Sequence, residues 1–258
     1  MSMRLLSTGY AALVYGFVYL PVAVLILFSF QSTLFPIPPF NGPSLRWYGA
    51  VVSDARLTAG LGNSLLVALL SSLCATALGF FAAWGFARFR LPASALLRGL
   101  ITLPLTVSYL IIGMGLLVVF TYLGLPKSLW AAGIGHVVIN LPLCFAIIYS
   151  QMGDQQANIE KAARDLGAGE MQVLALVTAP MVWPALFASF FLSMTFSWDE
   201  FVIAFLLTRF DTTLPVEIWN LLRAGLNPKT NAVGSLVFGI SVVFAILFEL
   251  LALRKIAK

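Results

Sequence analysis

The chain has 258 residues, of which 60% are hydrophobic and only 10% are charged, and its formal net charge is +5. This balance excludes an ordinary soluble domain and indicates a membrane protein. The basic excess follows the membrane topology described below, so it needs no nucleic acid as a partner.

Six apolar stretches are long enough to cross a membrane, which takes about 20 residues of helix. They are Gly9–Phe30, Gly62–Phe86, Gly99–Tyr122, Leu129–Ser150, Val182–Thr208 and Ala232–Leu253. None alternates polar and apolar residues as the strands of a membrane barrel do, so each is predicted to be a helix. The first is too long for the apolar region of a signal peptide and is expected to be retained. We predict an all-α protein with a single transmembrane domain over residues 1–258.

Basic residues indicate the orientation, because cytoplasmic loops carry an excess of lysine and arginine. An even number of spans places both termini on one side, and the denser basic set falls on that side. This set comprises Arg4, Arg88, Arg90, Arg98, Lys161, Arg164, Arg254, Lys255 and Lys258. The sparser set on the other side comprises Arg46, Arg56, Lys127, Arg209, Arg223 and Lys229. We therefore expect both termini in the cytoplasm.

The fourth loop, Gln151–Pro180, is a polar island between two apolar stretches. Four of its apolar residues recur at i, i+3, i+4 and i+7, which predicts a short amphipathic helix. They are Ile159, Ala162, Ala163 and Leu166. Asn158 is a candidate N-cap of this helix, and Gly167 suits a left-handed turn after its end. A soluble partner with a groove could bind such a helix.

The fourth loop also carries the pattern that identifies a family. Lys161-Ala-Ala, followed by Gly167 and then by Val177-Thr-Ala-Pro180, resembles the EAA loop of permease subunits of binding-protein-dependent ABC importers. The resemblance covers nearly the whole chain, and the chain is most similar to the second permease of spermidine/putrescine importers. It includes the six-span layout and the segments Trp47-Tyr48, Asn63-Ser-Leu, Ala163–Ala168 and Ser197–Phe201.

The resemblance implies a type I ABC importer permease fold in the bacterial inner membrane, with six transmembrane helices and a cytoplasmic coupling helix between spans four and five. It also implies a heterodimer with a second permease, two copies of a cytoplasmic ABC ATPase and an extracytoplasmic substrate-binding protein, all assembled in membrane lipid. The chain has no Walker A sequence, so we expect it to bind no cofactor and to be no enzyme itself. ATP and Mg would be used by the partner ATPase.

By the same resemblance, one set of residues would couple the permease to the ATPase. It comprises Glu160, Lys161, Ala162, Ala163, Asp165, Leu166, Gly167, Glu170 and Pro180. The family usually has glutamate at the position of Lys161. Either the ion pair of that glutamate is reversed here, or Glu160 substitutes for it from a direction rotated by about 100°. Glu170 either contacts the ATPase or is solvated.

The substrate path is predicted from polar residues inside the spans. Asp199 and Glu200 lie within the fifth stretch, where an uncompensated charge is costly. One of them could line the path for a cationic substrate, with contacts from Ser197 and Trp198. Alternatively, both could pair with the second permease or cap a neighbouring helix. Further path or gate candidates, for which packing is an alternative, are Tyr109 and Trp47.

No metal site is predicted. Cys74 and Cys144 lie on different spans without ligand spacing, and the lone His136 is expected to be a packed residue. The residues alone leave other functional classes open. A secondary transporter would show paired repeats or broken helices at corresponding positions, and a channel would show a repeated filter. Neither is found in the sequence. The substrate also stays open, since related importers carry 4-aminobutyrate, opines, aminophosphonates or ferric ion.

Overall fold

The protein is described by a computed structural model. It covers the backbone of residues 3–225 and 227–256, and the side chains of residues 7–225 and 227–250. The side chains of Arg4, Arg254, Lys255 and Lys258, used above to predict the orientation, lie outside this described part. Within it the chain is almost entirely helical, and its only extended pairing is an isolated bridge between Gln31 and Pro43.

The described residues form thirteen α-helices, numbered in chain order. The first six are α1 (Met3–Ser29), α2 (Arg46–Val52), α3 (Ala55–Arg88), α4 (Ser94–Thr102), α5 (Tyr109–Tyr122) and α6 (Leu129–Tyr149). The others are α7 (Asp154–Asp165), α8 (Glu170–Gln172), α9 (Ala179–Met181), α10 (Trp183–Trp198), α11 (Val202–Leu207), α12 (Leu214–Ala224) and α13 (Pro228–Ile256). A short 3-10 helix, Leu103–Leu105, follows α4, and a π-helical turn, Val173–Thr178, joins α8 to α9.

The structure confirms the predicted spans only in part. Among the described residues, four helices are long and apolar enough to cross a membrane, namely α1, α3, α6 and α13. Two bent pairs of helices raise the number to as many as six if each pair is one span. The prediction of a continuous helix over Gly99–Tyr122 is wrong, and so is that over Val182–Thr208.

The third predicted span is broken between α4 and α5, whose directions differ by 105°. Pro104 lies in the 3-10 helix and cannot donate a backbone hydrogen bond, which favours a break there. Ser108 then caps α5, because its hydroxyl accepts a hydrogen bond from the N–H of Leu110 at 3.3 Å. In the predicted third span Ser108 lies inside one helix, whereas in the structure it begins a new one.

The fifth predicted span begins at a bend and is interrupted once. The 71° bend lies at Val182, where Pro184 removes the backbone hydrogen bond that would continue the preceding helix. The interruption separates α10 from α11 and consists of Asp199, Glu200 and Phe201, a segment that we call the acidic break.

The backbone forms two compact units. The first comprises the described residues up to Ala59 together with Glu217–Glu249. Its loop after α1 is organised by Gln31, which is fully buried. The side-chain amide of Gln31 accepts a hydrogen bond from the N–H of Asn41 at 2.9 Å, and the indole N–H of Trp47 donates to its backbone oxygen at 2.7 Å. An ion pair between Lys229 and Asp54, 2.5 Å from Nζ to Oδ2, connects α13 to the turn before α3.

The second unit comprises Gly60–Val216 together with the described residues from Leu250 on. Helix α6 lies at its centre and packs against α10, α11, α5 and α4. Close packing is possible because glycines face the neighbouring helices. A Cβ atom at Gly79 would lie 2.9 Å from the Cβ of Cys144, and one at Gly135 would lie 2.4 Å from the Cγ2 of Ile203. The short helix α11 is thereby held tightly against α6.

Candidate functional site

Helix α7 carries the fourth-loop residues predicted to contact a partner, and it begins earlier than predicted. It starts at Asp154 with Gly153 as its N-cap, so the prediction that Asn158 caps the helix is wrong. The negative charge of Asp154 in the first turn stabilises the helix N-terminus through the backbone dipoles. Twelve residues make a helix of about 18 Å.

The end of α7 is the left-handed turn that the sequence predicts at Gly167, whose φ is +89°. The N–H of Gly167 donates to the oxygen of Arg164 at 2.9 Å, and the N–H of Ala168 donates to the oxygen of Ala163 at 3.1 Å. These two bonds form a Schellman motif, which satisfies carbonyl groups at the helix C-terminus. The chain reverses there because glycine adopts this conformation without strain.

The apolar stripe of α7 is largely uncovered. Leu166 is 90% exposed and Ile159 is 44% exposed, while Ala163 is half-buried. The neighbouring Lys161, Ala162 and Asp165 are exposed as well. Within the described part of the chain, this face of α7 is therefore accessible to another protein.

The side chain of Glu160 points away from this exposed face of α7 and is fully buried. Its carboxylate accepts hydrogen bonds from Arg88, and these are 2.6 Å from Nε and 3.1 Å from Nη2. The hydroxyl of Thr178 donates to the same carboxylate at 2.9 Å. Glu160 thus binds within its own chain.

Glu170 also has a partner in its own chain. Its carboxylate accepts from Arg164 at 2.7 Å (Nε) and 2.9 Å (Nη2), a pair that spans the turn at Gly167. The hydrogen bonds from Arg164 lower the pKa of Glu170 below its usual range. Pro180 is exposed and lies in α9, directly after the π-helical turn.

The two carboxylates of the acidic break differ in their exposure. Asp199 is exposed, whereas Glu200 is buried. The carboxylate of Glu200 accepts hydrogen bonds from the N–H groups of Ile203 at 2.9 Å and Ala204 at 3.2 Å. These groups lie in the first turn of α11, where they have no acceptor within the helix. Glu200 therefore caps α11. The cap matters because no water is available in hydrocarbon to accept these hydrogen bonds instead. Such a cap was one of the alternatives that the sequence left open.

Glu200 is also the end of a buried polar network. The hydroxyls of Ser71 and Ser197 lie 3.0 Å apart, and the hydroxyl of Ser197 lies 2.6 Å from Nδ1 of His136. The other ring nitrogen of His136, Nε2, lies 3.4 Å from the Glu200 carboxylate. If Ser71 donates to Ser197 and Ser197 donates to Nδ1 of His136, one proton arrangement satisfies both of these contacts. Nε2 of His136 faces Glu200 but has no hydrogen-bond partner among the described residues. Four helices, α3, α6, α10 and α11, meet in this network.

The remaining path candidates have different surroundings. Trp198 is buried at the end of α10, while Tyr109 is 38% exposed in the first turn of α5. Trp47 belongs to the first unit and is buried, and its indole N–H donates to the backbone oxygen of Gln31. These contacts fit the alternative that Trp47 is a packed residue. A groove of about 260 Å³ between α3 and α6 is almost wholly apolar, and none of the predicted path residues lines it.

Several residues that contact the buried glutamates or the segment after α11 were not predicted from the sequence to do so. Arg88 and His136 provide the partners of the two buried glutamates. Asn63 and Ser64, quoted above only as part of a resemblance, hold the segment after α11. The amide of Asn63 donates to the oxygen of Thr212 at 2.9 Å, and the hydroxyl of Ser64 accepts from the N–H of Leu214 at 2.8 Å.

Comparison with known proteins identifies the class. Residues 75–256 match the family described as binding-protein-dependent transport system inner membrane component. The chain belongs to this family and is a multi-pass inner-membrane permease subunit.

Among curated proteins, the chain is 29% identical over 253 residues to the spermidine/putrescine transport system permease protein PotC of Escherichia coli K12, covering 98% of this chain and 96% of that protein. It is 33% identical over 247 residues to the putrescine transport system permease protein PotI of the same strain, covering 92% and 88%.

Solved structures show the same fold. A chain of a bacterial ABC transporter that imports alginate superposes with a TM-score of 0.77 at 16% identity, covering 99% of this chain and 96% of that one. A chain of the MetNI methionine ABC transporter superposes with a TM-score of 0.63 at 14% identity, covering 77% and 95%. The fold is thus that of type I ABC importer permeases. This chain contains two bent helix pairs, although no broken helix was found in the sequence, and it nevertheless belongs to a family of importer permeases.

Proposed function

We propose that this chain is one of two permease subunits of an ATP-driven importer and forms the path of a small organic cation, a spermidine- or putrescine-like polyamine. The observation that carries the substrate class is the exposed carboxylate of Asp199 in an otherwise apolar segment. The permeases of the curated relatives serve spermidine or putrescine transport and align along nearly the whole chain. A polyamine offers ammonium groups, which a carboxylate in a low-dielectric path attracts strongly.

The proposal assigns the two adjacent acidic residues different tasks. Asp199 would contact the substrate, and Glu200 would hold the start of α11 so that the break keeps its shape. Ser197 and Trp198 would support the break from α10, since both are buried. Tyr109, exposed at the start of α5, could contribute its ring to a cation.

The exposed face of α7 would be the docking element for a cytoplasmic ATPase. This face presents Lys161, Ala162, Asp165 and Leu166, and the turn at Gly167 fixes its end. The full assembly would contain a second permease, two copies of the ATPase, which uses ATP and Mg, and an extracytoplasmic substrate-binding protein. Both termini would lie in the cytoplasm. Nucleotide on one side and the loaded binding protein on the other would then bias a two-state membrane unit.

Related substrates differ in what they would require of the path. An aminophosphonate has net negative charge and would be repelled by Asp199. Neutral zwitterions such as 4-aminobutyrate and the opines would gain less than a dication from one carboxylate, and ferric ion prefers several oxygen ligands. The exposed carboxylate therefore supports a polyamine over these alternatives.

The test is ATP-driven uptake by the complete complex in proteoliposomes. Labelled putrescine and spermidine should be taken up, and 4-aminobutyrate, an aminophosphonate and ferric citrate should not compete. Asp199→Asn should lower polyamine uptake by about tenfold, the effect of losing roughly 1.4 kcal/mol, and leave the complex stable. Glu249→Gln removes an exposed carboxylate from α13 and is the matched control. Full uptake by Asp199→Asn would contradict the assignment of the path.

The docking role of α7 is tested separately. Ala163→Asp places a charge on the half-buried edge of the apolar stripe, and Gly167→Pro removes the left-handed turn. Both should reduce co-purification with the ATPase, or uncouple ATP hydrolysis from uptake, while membrane insertion continues. Normal co-purification and normal uptake in both variants would show that α7 is not the docking element.

A further inference from the structure

Arg88 and Glu160 form a buried ion pair that connects a membrane helix to α7. Arg88 is the last residue of α3, and Glu160 lies in the middle of α7, 72 residues later in the chain. The Glu160 side chain is 0% exposed and the Arg88 side chain is 9% exposed. Two parallel N–H···O bonds join the guanidinium edge to both carboxylate oxygens. This fork-to-fork geometry fixes the direction of each side chain as well as its distance.

Two further bonds draw neighbouring segments into the same cluster. The Nη1 group of Arg88 lies 3.3 Å from the backbone oxygen of Met152, just before α7. The hydroxyl of Thr178, in the π-helical turn, donates to Glu160 at 2.9 Å. The end of α3, the helix α7 and the turn that leads into α10 therefore share one buried carboxylate.

Because it is buried, this ion pair should hold its two helices together more firmly than an exposed ion pair would. A buried charge left without its partner is strongly unfavourable, so the two side chains cannot separate when α7 is displaced. An arginine holds both carboxylate oxygens at once, whereas a lysine would bind as a point charge and permit rotation. The adjacent π-helical turn has a looser hydrogen-bond pattern than an α-helix and can absorb a change of direction.

We propose that Arg88 is a positioning residue for energy coupling, which acts through Glu160 to make α7 move together with α3 and the π-helical turn. This inference rests on the proposed function, in which a partner ATPase displaces α7. The exposed face of α7 would receive the displacement, and the buried face would deliver it to two membrane helices. Arg88 itself touches neither the ATPase nor the substrate.

The experiment uses the complete complex in proteoliposomes and measures substrate taken up per ATP hydrolysed. Arg88→Gln and Glu160→Gln should lower this ratio by about tenfold, a typical size for coupling between sites, while the ATPase still co-purifies. The exchanged variant Arg88→Glu/Glu160→Arg should restore part of the ratio. Asp54→Asn, which removes the charge that pairs with Lys229 in the other compact unit, is the control and should leave the ratio unchanged.

Milder variants keep the test decisive if the pair proves necessary for assembly. Arg88→Lys keeps the charge but loses the fork, and Thr178→Val removes one hydrogen bond from the cluster. Both should lower the ratio with little change in melting temperature. Two results would overturn the proposal. In the first, the variants have lower melting temperatures but take up as much substrate per ATP hydrolysed as the unmodified complex. In the second, no variant at Arg88 or Glu160 assembles, and Thr178→Val still takes up the normal amount of substrate per ATP. If the unmodified complex shows no ATP-driven uptake, the proposed function is wrong instead.

Discussion

The fourth loop and the acidic break each bury one glutamate, but they stabilise its charge in different ways. Glu160 is held by the guanidinium of Arg88 and the hydroxyl of Thr178. Glu200 is held by backbone N–H groups of α11, with His136 beside it. The first arrangement needs a side chain from a helix distant in the chain, whereas the second uses the helix that begins two residues later.

Beside each buried glutamate lies an exposed charged residue. Lys161 follows Glu160, and Asp199 precedes Glu200. Glu160 and Lys161 are successive helical residues, whose side chains diverge by about 100°. Asp199 and Glu200 lie between two helices and differ because the Glu200 carboxylate bonds to the N–H groups of α11. The comparison teaches that a pair of neighbouring charges can divide its work, one holding the backbone and the other facing a partner or substrate. Charge and position along the chain do not distinguish these tasks, whereas burial does.

The sharpest test of this division is to truncate each of the two carboxylates of the acidic break in turn. Glu200→Ala leaves two buried N–H groups of α11 without an acceptor, at a cost of about 1–3 kcal/mol each. We expect a large fall in the melting temperature of the detergent-solubilised complex. Asp199→Ala should leave the melting temperature nearly unchanged and lower only uptake. Equal melting temperatures for the two variants would remove the structural distinction between the carboxylates.

A second test perturbs the acidic break without touching its charges. Gly135→Ala places a Cβ atom 2.4 Å from Ile203, in the first turn of α11, so α11 must shift. Overpacking of this kind costs about 1–3 kcal/mol, and we expect lower uptake and a lower melting temperature. Gly133→Ala, on the same helix with nothing within 4 Å, is the control. The contact would be of no consequence if both variants behaved alike.

The corresponding test in the fourth loop is Gly167→Ala. An alanine at a φ of +89° is strained, and the left-handed conformation costs about 1–2 kcal/mol for a residue with a side chain. We expect fraying at the end of α7 and weaker co-purification with the ATPase, but normal stability of the membrane helices. Gly169, with a φ of −71°, should tolerate alanine. Unchanged co-purification with Gly167→Ala would show that the turn does not position α7.

The smallest expected effect belongs to the half-buried pair of Asp54 and Lys229, which contrasts with both fully buried glutamates. The hydrogen bond from Lys229 lowers the pKa of Asp54 from its usual value of 3.8. The pair therefore stabilises the fold above pH 3.8, and this stability is lost as the pH falls through the lowered pKa. Its contribution is at most about 1 kcal/mol.

Melting temperatures of the unmodified chain and of Asp54→Asn, measured from neutral pH downward, test this sign. The small difference between them should disappear only on acidification. A difference that grows as the pH falls would contradict the assignment.

The sequence by itself determined the class of this protein. Long apolar stretches predict membrane helices because the backbone must satisfy its own hydrogen bonds in hydrocarbon, and the periodicity around Ile159–Leu166 predicts a short amphipathic helix. Gly167 was correctly placed in a left-handed turn, because only local backbone geometry decides that position. The fourth-loop pattern predicted the family, which the match over residues 75–256 confirms.

Only the tertiary structure decided which charges are buried and where the spans break. Asp199 and Glu200 are equivalent in composition and hydropathy, and the capping of α11 appears only once the helix is seen to restart at Val202. Likewise, Arg88 was visible in the sequence only as a topological charge, because its partner lies 72 residues away. Contacts between distant segments depend on how helices pack, and no local pattern in the sequence encodes them.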